Sequence, residues 1–371
     1  MDKKIYLDCK KILKKFIENG YWKSFNSGDI FYFKREGKDD SIFTFVETMI
    51  DDSFGGQLFS GKESFNYVHD LLTTNLQSVT MYDCDAILFS MKTKEEVTES
   101  DKLFLNENNM RVQLENNFLC YRYEPGKKIR MANDLELNEL LNHLSYLNSI
   151  IPAEYDSIIN AFSKDYCVYS IIDEVKFTYE IVYRPLPYLE SKIRLSKANI
   201  DFVLEFTNKE FVNSEAYLFL SYVPMVIKNK NIRPLMIYLY YPKENKHLFK
   251  YMTEEFKKNK NMLYGILDEA FSEIGKPFKM YINNRHAHAY LKNTLDSLNI
   301  ENEFLREEKV TNDNIDLLMQ AFYNPKLDEI VEEADLVNNL MDVITKTLNQ
   351  LKEEDFVEED YDNNEPKDLV S

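Results

Sequence analysis

The chain has 371 residues, 44% of them apolar and 29% charged, with a formal net charge of −18. That length exceeds one ordinary core, so two globular units are expected. The acidic balance argues against a nucleic-acid backbone as main partner, because phosphate binding draws on clustered Lys and Arg. Apolar runs at 216–227 and 234–242 stay below the roughly 18 residues of a membrane span. Residues 1–6 carry charges and no apolar signal-peptide core, so the sequence points to a cytoplasmic protein with no membrane partner.

The N-terminal segment reads as a helix. Ile5, Cys9, Ile12, Leu13, Phe16 and Ile17 recur at three- and four-residue spacing until Gly20 stops it. After Trp22, residues 29–35 and 41–50 are rich in β-branched and aromatic side chains and flank the polar stretch 36–40, the pattern of a hairpin. Gly55-Gly56 leads to a third strand at 57–59, and Phe65, Val68, Leu71 and Leu72 mark a second helix. Extended structure is expected at 85–91, a short helix at 100–107 and a strand at 117–123. Asn133, with Glu136 three residues on, is a capping-box signature for a helix through Leu137, Leu140, Leu141, Leu144 and Leu147. The first unit is expected to close near Ile151-Pro152, as an α+β domain over 1–151 with a mostly antiparallel sheet.

A β-rich middle segment, 152–231, holds candidate strands at 167–172, 175–183 and 200–206 and is read as part of the second domain. From 232 to 325 the pattern predicts an α/β domain with a mixed sheet. Strands are expected at 235–241 and 247–253, a helix through Met262, Ile266, Leu267, Ala270 and Phe271, a strand at 278–282, a helix at 287–298, a strand at 303–306 and a helix at 315–322. After Asn324-Pro325, Ile330, Ala334, Val337, Met341, Ile344, Leu348 and Leu351 follow heptad spacing, predicting a long amphipathic helix over 326–351. It packs on the protein's own body or forms a homodimer through Ile330, Val337, Met341, Ile344 and Leu348. Residues 352–371 hold nine acids against two lysines, a net of −7, and read as a disordered acidic tail that is solvated or a lure for a basic partner.

Several of these features, in this order, resemble an uncharacterised bacterial family of two consecutive domains of unknown function. They are Trp22 after a first helix, a hairpin, Phe54-Gly55-Gly56-Gln57-Leu58-Phe59-Ser60-Gly61, Tyr123-Glu124-Pro125-Gly126 before a Leu-rich helix, and Arg233-Pro234 opening the second unit. The likeness covers roughly residues 1–325 and departs after Gly126, where Lys127-Lys128-Ile129 replaces a Pro-containing continuation. It implies no activity.

For chemistry, the element order of the second unit is similar to part of a ribonuclease H-like plan, whose nucleases hold two metal ions with carboxylates. Residues 235–241 carry no acid, however, and Asn283-Asn284 stands where a metal site wants a carboxylate. Cys9, Cys84, Cys120 and Cys167 are scattered, and His69, His143, His247, His286 and His288 supply one close pair, so no metal and no cofactor are expected. The best-placed polar cluster is Asn283, Asn284, Arg285 and His286, beyond the carboxyl end of a strand, where ligands of open α/β sheets bind. Ser53-Phe54-Gly55-Gly56 lacks the following Lys-Ser or Lys-Thr of a phosphate cradle, and Asp83-Cys84-Asp85 reads as a solvated turn. The aromatic content, 25 Tyr and 25 Phe, reads as sheet packing or an aromatic protein-binding face. Taken together, the residues point to binding of a protein partner without catalysis. The alternatives are a small-molecule enzyme or nuclease-like hydrolase with a site between the domains, and a scaffold that self-associates through the C-terminal helix.

Overall fold

A computed structural model of the chain describes residues 2–26, 28–35, 39–47, 54–73, 84–107, 110–173, 178–185, 193–223, 225–254, 256–305 and 329–331. Its contacts divide into two compact units, with the change at residues 192 and 193.

The first unit opens with α1 (Lys3–Asn19), capped by the Asp2 carboxylate on Lys4 N and stopped by Gly20 in the left-handed region. Then come β1 (Phe31–Arg35), β2 (Ser41–Glu47), β3 (Phe54–Ser60), α2 (Lys62–Thr73), β4 (Ala86–Lys92), α3 (Glu99–Glu107), β5 (Asn117–Tyr123), β6 (Arg130–Met131), α4 (Asp134–Phe162), β7 (Tyr166–Asp173) and β8 (Thr178–Pro185). The eight strands form one sheet in the order β6-β5-β4-β3-β2-β1-β7-β8. Every neighbour pair is antiparallel except β1 and β7, which run parallel. Helices α1 and α4 cover one face through Leu13, Phe16, Leu140, Leu144 and Leu147, packed on Phe31, Phe33, Phe43 and Phe89. On the other face Tyr67 and Val68 of α2 pack with Tyr32, Phe59 and Tyr169.

Two local readings of the sequence change here. Gly55 and Gly56 lie inside β3, because a Cβ at Gly56 would stand 2.6 Å from Phe89 Cζ and 2.8 Å from Thr44 O. Only glycine admits that approach. Nor does the chain leave the unit at Ile151-Pro152, since α4 runs on through Pro152 to Phe162. The two following strands then complete the first sheet, β7 pairing with β1 over Phe31↔Val168 to Arg35↔Ile172. The middle segment 152–231 is therefore shared between the two units.

The second unit holds α5 (Ile200–Phe206), β9 (Phe211–Tyr222), β10 (Met225–Ile227), β11 (Leu235–Tyr241), β12 (Lys246–Met252), α6 (Phe256–Asn259), α7 (Met262–Glu273), β13 (Lys276–Ile282), α8 (Arg285–Ser297), β14 (Glu301–Phe304) and β15 (Glu329–Val331). Residues 200–206, expected as a strand, form a helix. Asn199 caps it by accepting from Phe202 N, and Phe202 and Phe206, one turn apart, are buried together. The five-stranded sheet has the order β12-β11-β9-β13-β14; β11 runs antiparallel to both its neighbours, β12 and β9, and β13 and β14 run parallel to β9. Alternate residues of β9 and β11 (Leu218, Leu220, Ile237, Leu239) form one core with Leu263, Leu267, Phe271, Leu291 and Leu295 of the helices.

β10 pairs in parallel with β15, placing Ile330 opposite Val226. Ile330, expected as the first member of the heptad seam, is thus a strand residue held by a β ladder. Val337, Met341, Ile344 and Leu348, the helix expected at 315–322 and the acidic tail lie outside the described residues. No described helix is long and apolar enough to cross a membrane.

Candidate functional site

The cluster expected to bind a ligand lies at the turn from β13 into α8, and its side chains have local partners. The Asn283 amide accepts from Leu220 N (2.8 Å) and donates to Leu220 O (3.2 Å), while Asn283 N donates to Leu218 O. Asn283 thus behaves as a further rung of the β13 to β9 ladder. Asn284 caps α8 by accepting from Ala287 N at 3.0 Å. The Arg285 guanidinium stands over the Phe304 ring, 4.3 Å from its centre. His286 is half-buried in the first turn of α8. Its neighbour His288 bonds Asn302 Oδ1 through Nε2 at 3.1 Å, and burial, the largest influence on the ring, holds its pKa below the ordinary value. The four residues share one turn, and three of them serve to join β13, β9, α8 and β14.

Four carboxylates of this unit are likewise engaged. Glu215 on β9 accepts from Tyr217 Oη (3.3 Å), and Glu269 on α7 pairs with Lys250 at 3.0 Å. Lys279 on β13 bridges Glu301 (2.5 Å) and Glu303 (3.2 Å) of β14. The Glu301 hydrogen bond is the main reason its ammonium is held above the usual lysine range. Among the described residues no three His, Cys, Asp or Glu side chains stand close enough to hold a metal ion. The sheet face opposite the helices carries stacked rings, Tyr217 on Tyr281 at 5.0 Å and Tyr238 on Phe249 at 4.6 Å. Its centre is not open to solvent, for Tyr238 is 1% exposed. A groove of about 520 Å³ runs along the outer strand β12, between Phe249, Met252 and Glu254 on one side and Asn259 and Met262 on the other.

In the first unit the structure assembles a pair that no motif announced. Ser41 Oγ lies 2.7 Å from His143 Nε2, and His143 Nδ1 lies 2.8 Å from the Glu139 carbonyl. A carbonyl only accepts, so Nδ1 carries the proton, and in the neutral ring Nε2 accepts from the serine. This is the geometry of a nucleophile and base, yet Ser41 is 0% and His143 1% exposed, and Phe33 meets the imidazole edge-on. Buried at this depth, the pair fastens α4 to the sheet. Burial also raises the thiols, Cys9 to about 12 and Cys167 to about 11, which favours the protonated form.

The Tyr123-Glu124-Pro125-Gly126 turn lies within an ion network. Arg130 forks onto Glu136 (2.7 and 2.8 Å) and reaches Glu124 at 3.1 Å. Lys127 pairs with Glu124, and Arg122 stands between Asp85 and Glu136. Glu136 also completes the capping box of α4 with Asn133. Burial pushes the Glu136 carboxyl up, but the Arg130 hydrogen bonds and the Asn133 amide outweigh it and hold the group below the usual carboxylate range. Three acids and three bases compensate one another, so Asp85 belongs to a paired network; Asp83 lies outside the described residues.

Residues 8–165 match the family model of a domain of unknown function, DUF7309. The matched stretch runs from within α1 to the residue before β7 and leaves out the two strands that complete the sheet. No curated protein matches the chain. A cryo-EM structure of the simian T-cell lymphotropic virus intasome in complex with PP2A regulatory subunit B56 gamma is similar at 18% identity over 36% of this chain, with a TM-score of 0.23. The likeness spans 48% of that chain's length, and at this TM-score it carries no argument.

The Ser41–His143 pair and the ion network escape sequence reading because their members are far apart in the chain, Ser41 and His143 by 102 residues. Only the Asn133–Glu136 end of the network has a local signature.

Proposed function

We propose that the protein is a non-catalytic cytoplasmic binding protein whose partner is another protein, and that its second unit follows a ribonuclease H-like plan without the carboxylate set of the nucleases. The topology supports the plan: an antiparallel trio, then two strands parallel to the first and joined through helices, in an order that places β9 at the centre. The observation that carries the non-catalytic reading is Asn283. Where the parallel strand ends and a metal site wants negative charge, a neutral amide uses both its donor and its acceptor on the Leu220 backbone. An amide neither neutralises two divalent ions nor acts as a general base. Two other acids of this unit are occupied too, Glu215 of β9 by tyrosine hydroxyl and Glu269 of α7 by lysine.

The test is direct. Purified full-length protein, given Mg²⁺ or Mn²⁺ with RNA, DNA or their hybrid, is expected to show no cleavage, and crosslinked capture from its own cells is expected to recover a stoichiometric protein. Metal-dependent cleavage that co-purifies with the chain and is lost on Glu215→Gln overturns the reading.

A further inference from the structure

The exposed side of α1 differs from the rest of this acidic molecule. Within 13 residues it carries Lys3, Lys4, Lys10, Lys11, Lys14 and Lys15, while Tyr6, Cys9, Leu13 and Phe16 turn into the core. Lys10 Nζ bonds Gln113 Oε1 at 2.8 Å. Among the described residues no ion pair engages Lys3, Lys4, Lys11, Lys14 or Lys15, in a chain with 63 acids. The nearest carboxylates have other work, Asp2 capping Lys4 N and Asp134 taking Asp2 N at 2.6 Å; Asp8 and Glu18 share the helix without forming a pair. Lysines three and four residues apart repel one another. Lys10 is held below its ordinary pKa, first by burial and then by Lys14.

The face is not purely charged. Leu7 is 58% exposed, with Lys3, Lys4, Lys10 and Lys11 as its neighbours three and four residues away. Leu114, beside the Gln113 that Lys10 holds, is 77% exposed, and its carbonyl accepts from Lys94 N. The helix presents about 25 Å of this surface.

Resting on the reading above that the protein acts by binding, we propose that the α1 face docks an acidic protein segment in which apolar side chains are interspersed. Lysines supply charge complementarity, and Leu7 and Leu114 supply anchors that a pure polyanion leaves unused. Nucleic acid fits less well, because the helix offers no arginine fork and no aromatic platform. A lipid surface fits less well for want of aromatic anchors.

The experiment uses the full chain and a labelled synthetic peptide with the sequence of residues 352–362, which joins acids to Phe356, Val357 and Tyr361. Lys11→Glu with Lys14→Glu is expected to weaken binding at least about tenfold, as is raising salt from about 50 to 300 mM. Leu7→Ser, or serine at the three apolar positions of the peptide, is expected to weaken it about threefold or more with the salt slope kept. Circular dichroism confirms that the helix is intact, since the changed residues lie on the surface. Four outcomes overturn the proposal: no binding at about 1 mM peptide; affinity unchanged in the lysine variant; duplex DNA or phosphatidylserine vesicles binding more tightly with the same lysine dependence; and equal capture of a cellular protein partner by wild type and variant. The last sinks this surface alone and leaves the binding reading standing, whereas nuclease turnover sinks that reading itself.

Discussion

The start of α4 and the outward side of α1 lie in one unit and touch through Asp2 and Asp134, yet they treat charge in opposite ways. At α4, Asp85, Glu124 and Glu136 meet Arg122, Lys127 and Arg130, and the half-buried network ties a strand edge to a helix cap. On α1, lysines stand together, and Asp8 and Glu18 on the same helix form no ion pair with them, although the chain has acids to spare. The first arrangement is self-sufficient and explains itself as architecture. The second leaves field and apolar surface unanswered, which is the condition an interface needs.

If that contrast is right, damage to the network is expected to appear as lost stability and damage to the lysine face as lost binding. Glu136→Ala removes the capping box and the Arg130 fork and leaves Arg122 with Asp85 as its carboxylate partner, and is expected to cost about 2–3 kcal/mol in denaturant unfolding. Gly56→Ala presses a methyl onto Phe89 and the Thr44 carbonyl and is expected to cost about 1–3 kcal/mol. In the other unit, Asn283→Asp keeps an acceptor for Leu220 N but faces its carbonyl with charge, for about 1–2 kcal/mol.

Acid titration sharpens the comparison further. Glu136 and Glu124 fold with pKa values below their ordinary 4.5. Their contribution is therefore complete above that value and lost as pH falls through the folded value. Asp85, raised mainly by burial, works in the opposite sense and offsets part of the loss. Unfolding midpoints are expected to drop between about pH 5 and 3, and less steeply in Glu136→Ala. Smallest of all, Lys14→Gln is expected to leave stability within about 0.5 kcal/mol, on the side of a gain because a repulsion with Lys10 is relieved.

How much of this could be read in the chain depends on how local each cause is. The capping box at Asn133 and Glu136 and the strand 117–123 were legible because caps and alternation act within a few residues. The strand reading of residues 200–206 followed their β-branched and aromatic side chains, while the Asn199 cap and the Phe202 to Phe206 spacing decided for a helix. The central strand β9 was legible only as an apolar run, since Leu218 to Ser221 are buried on both faces and lose the alternation that marks a strand. The first unit's true end was hidden because β7 pairs with β1, some 137 residues earlier at Phe31↔Val168. For the candidate site, the position of Asn283 to His286 after a strand was legible, but the engagement of Asn283 with Leu220 was not, for a backbone partner 63 residues away leaves no mark in the sequence.

The most direct measurement sets two variants side by side, Lys11→Glu with Lys14→Glu against Glu136→Gln, each assayed for thermal midpoint and for affinity toward the acidic peptide. The account predicts that the lysine variant loses affinity at an unchanged midpoint, and that the glutamate variant loses several degrees at an unchanged affinity. A lysine variant that melts early but binds as before contradicts it.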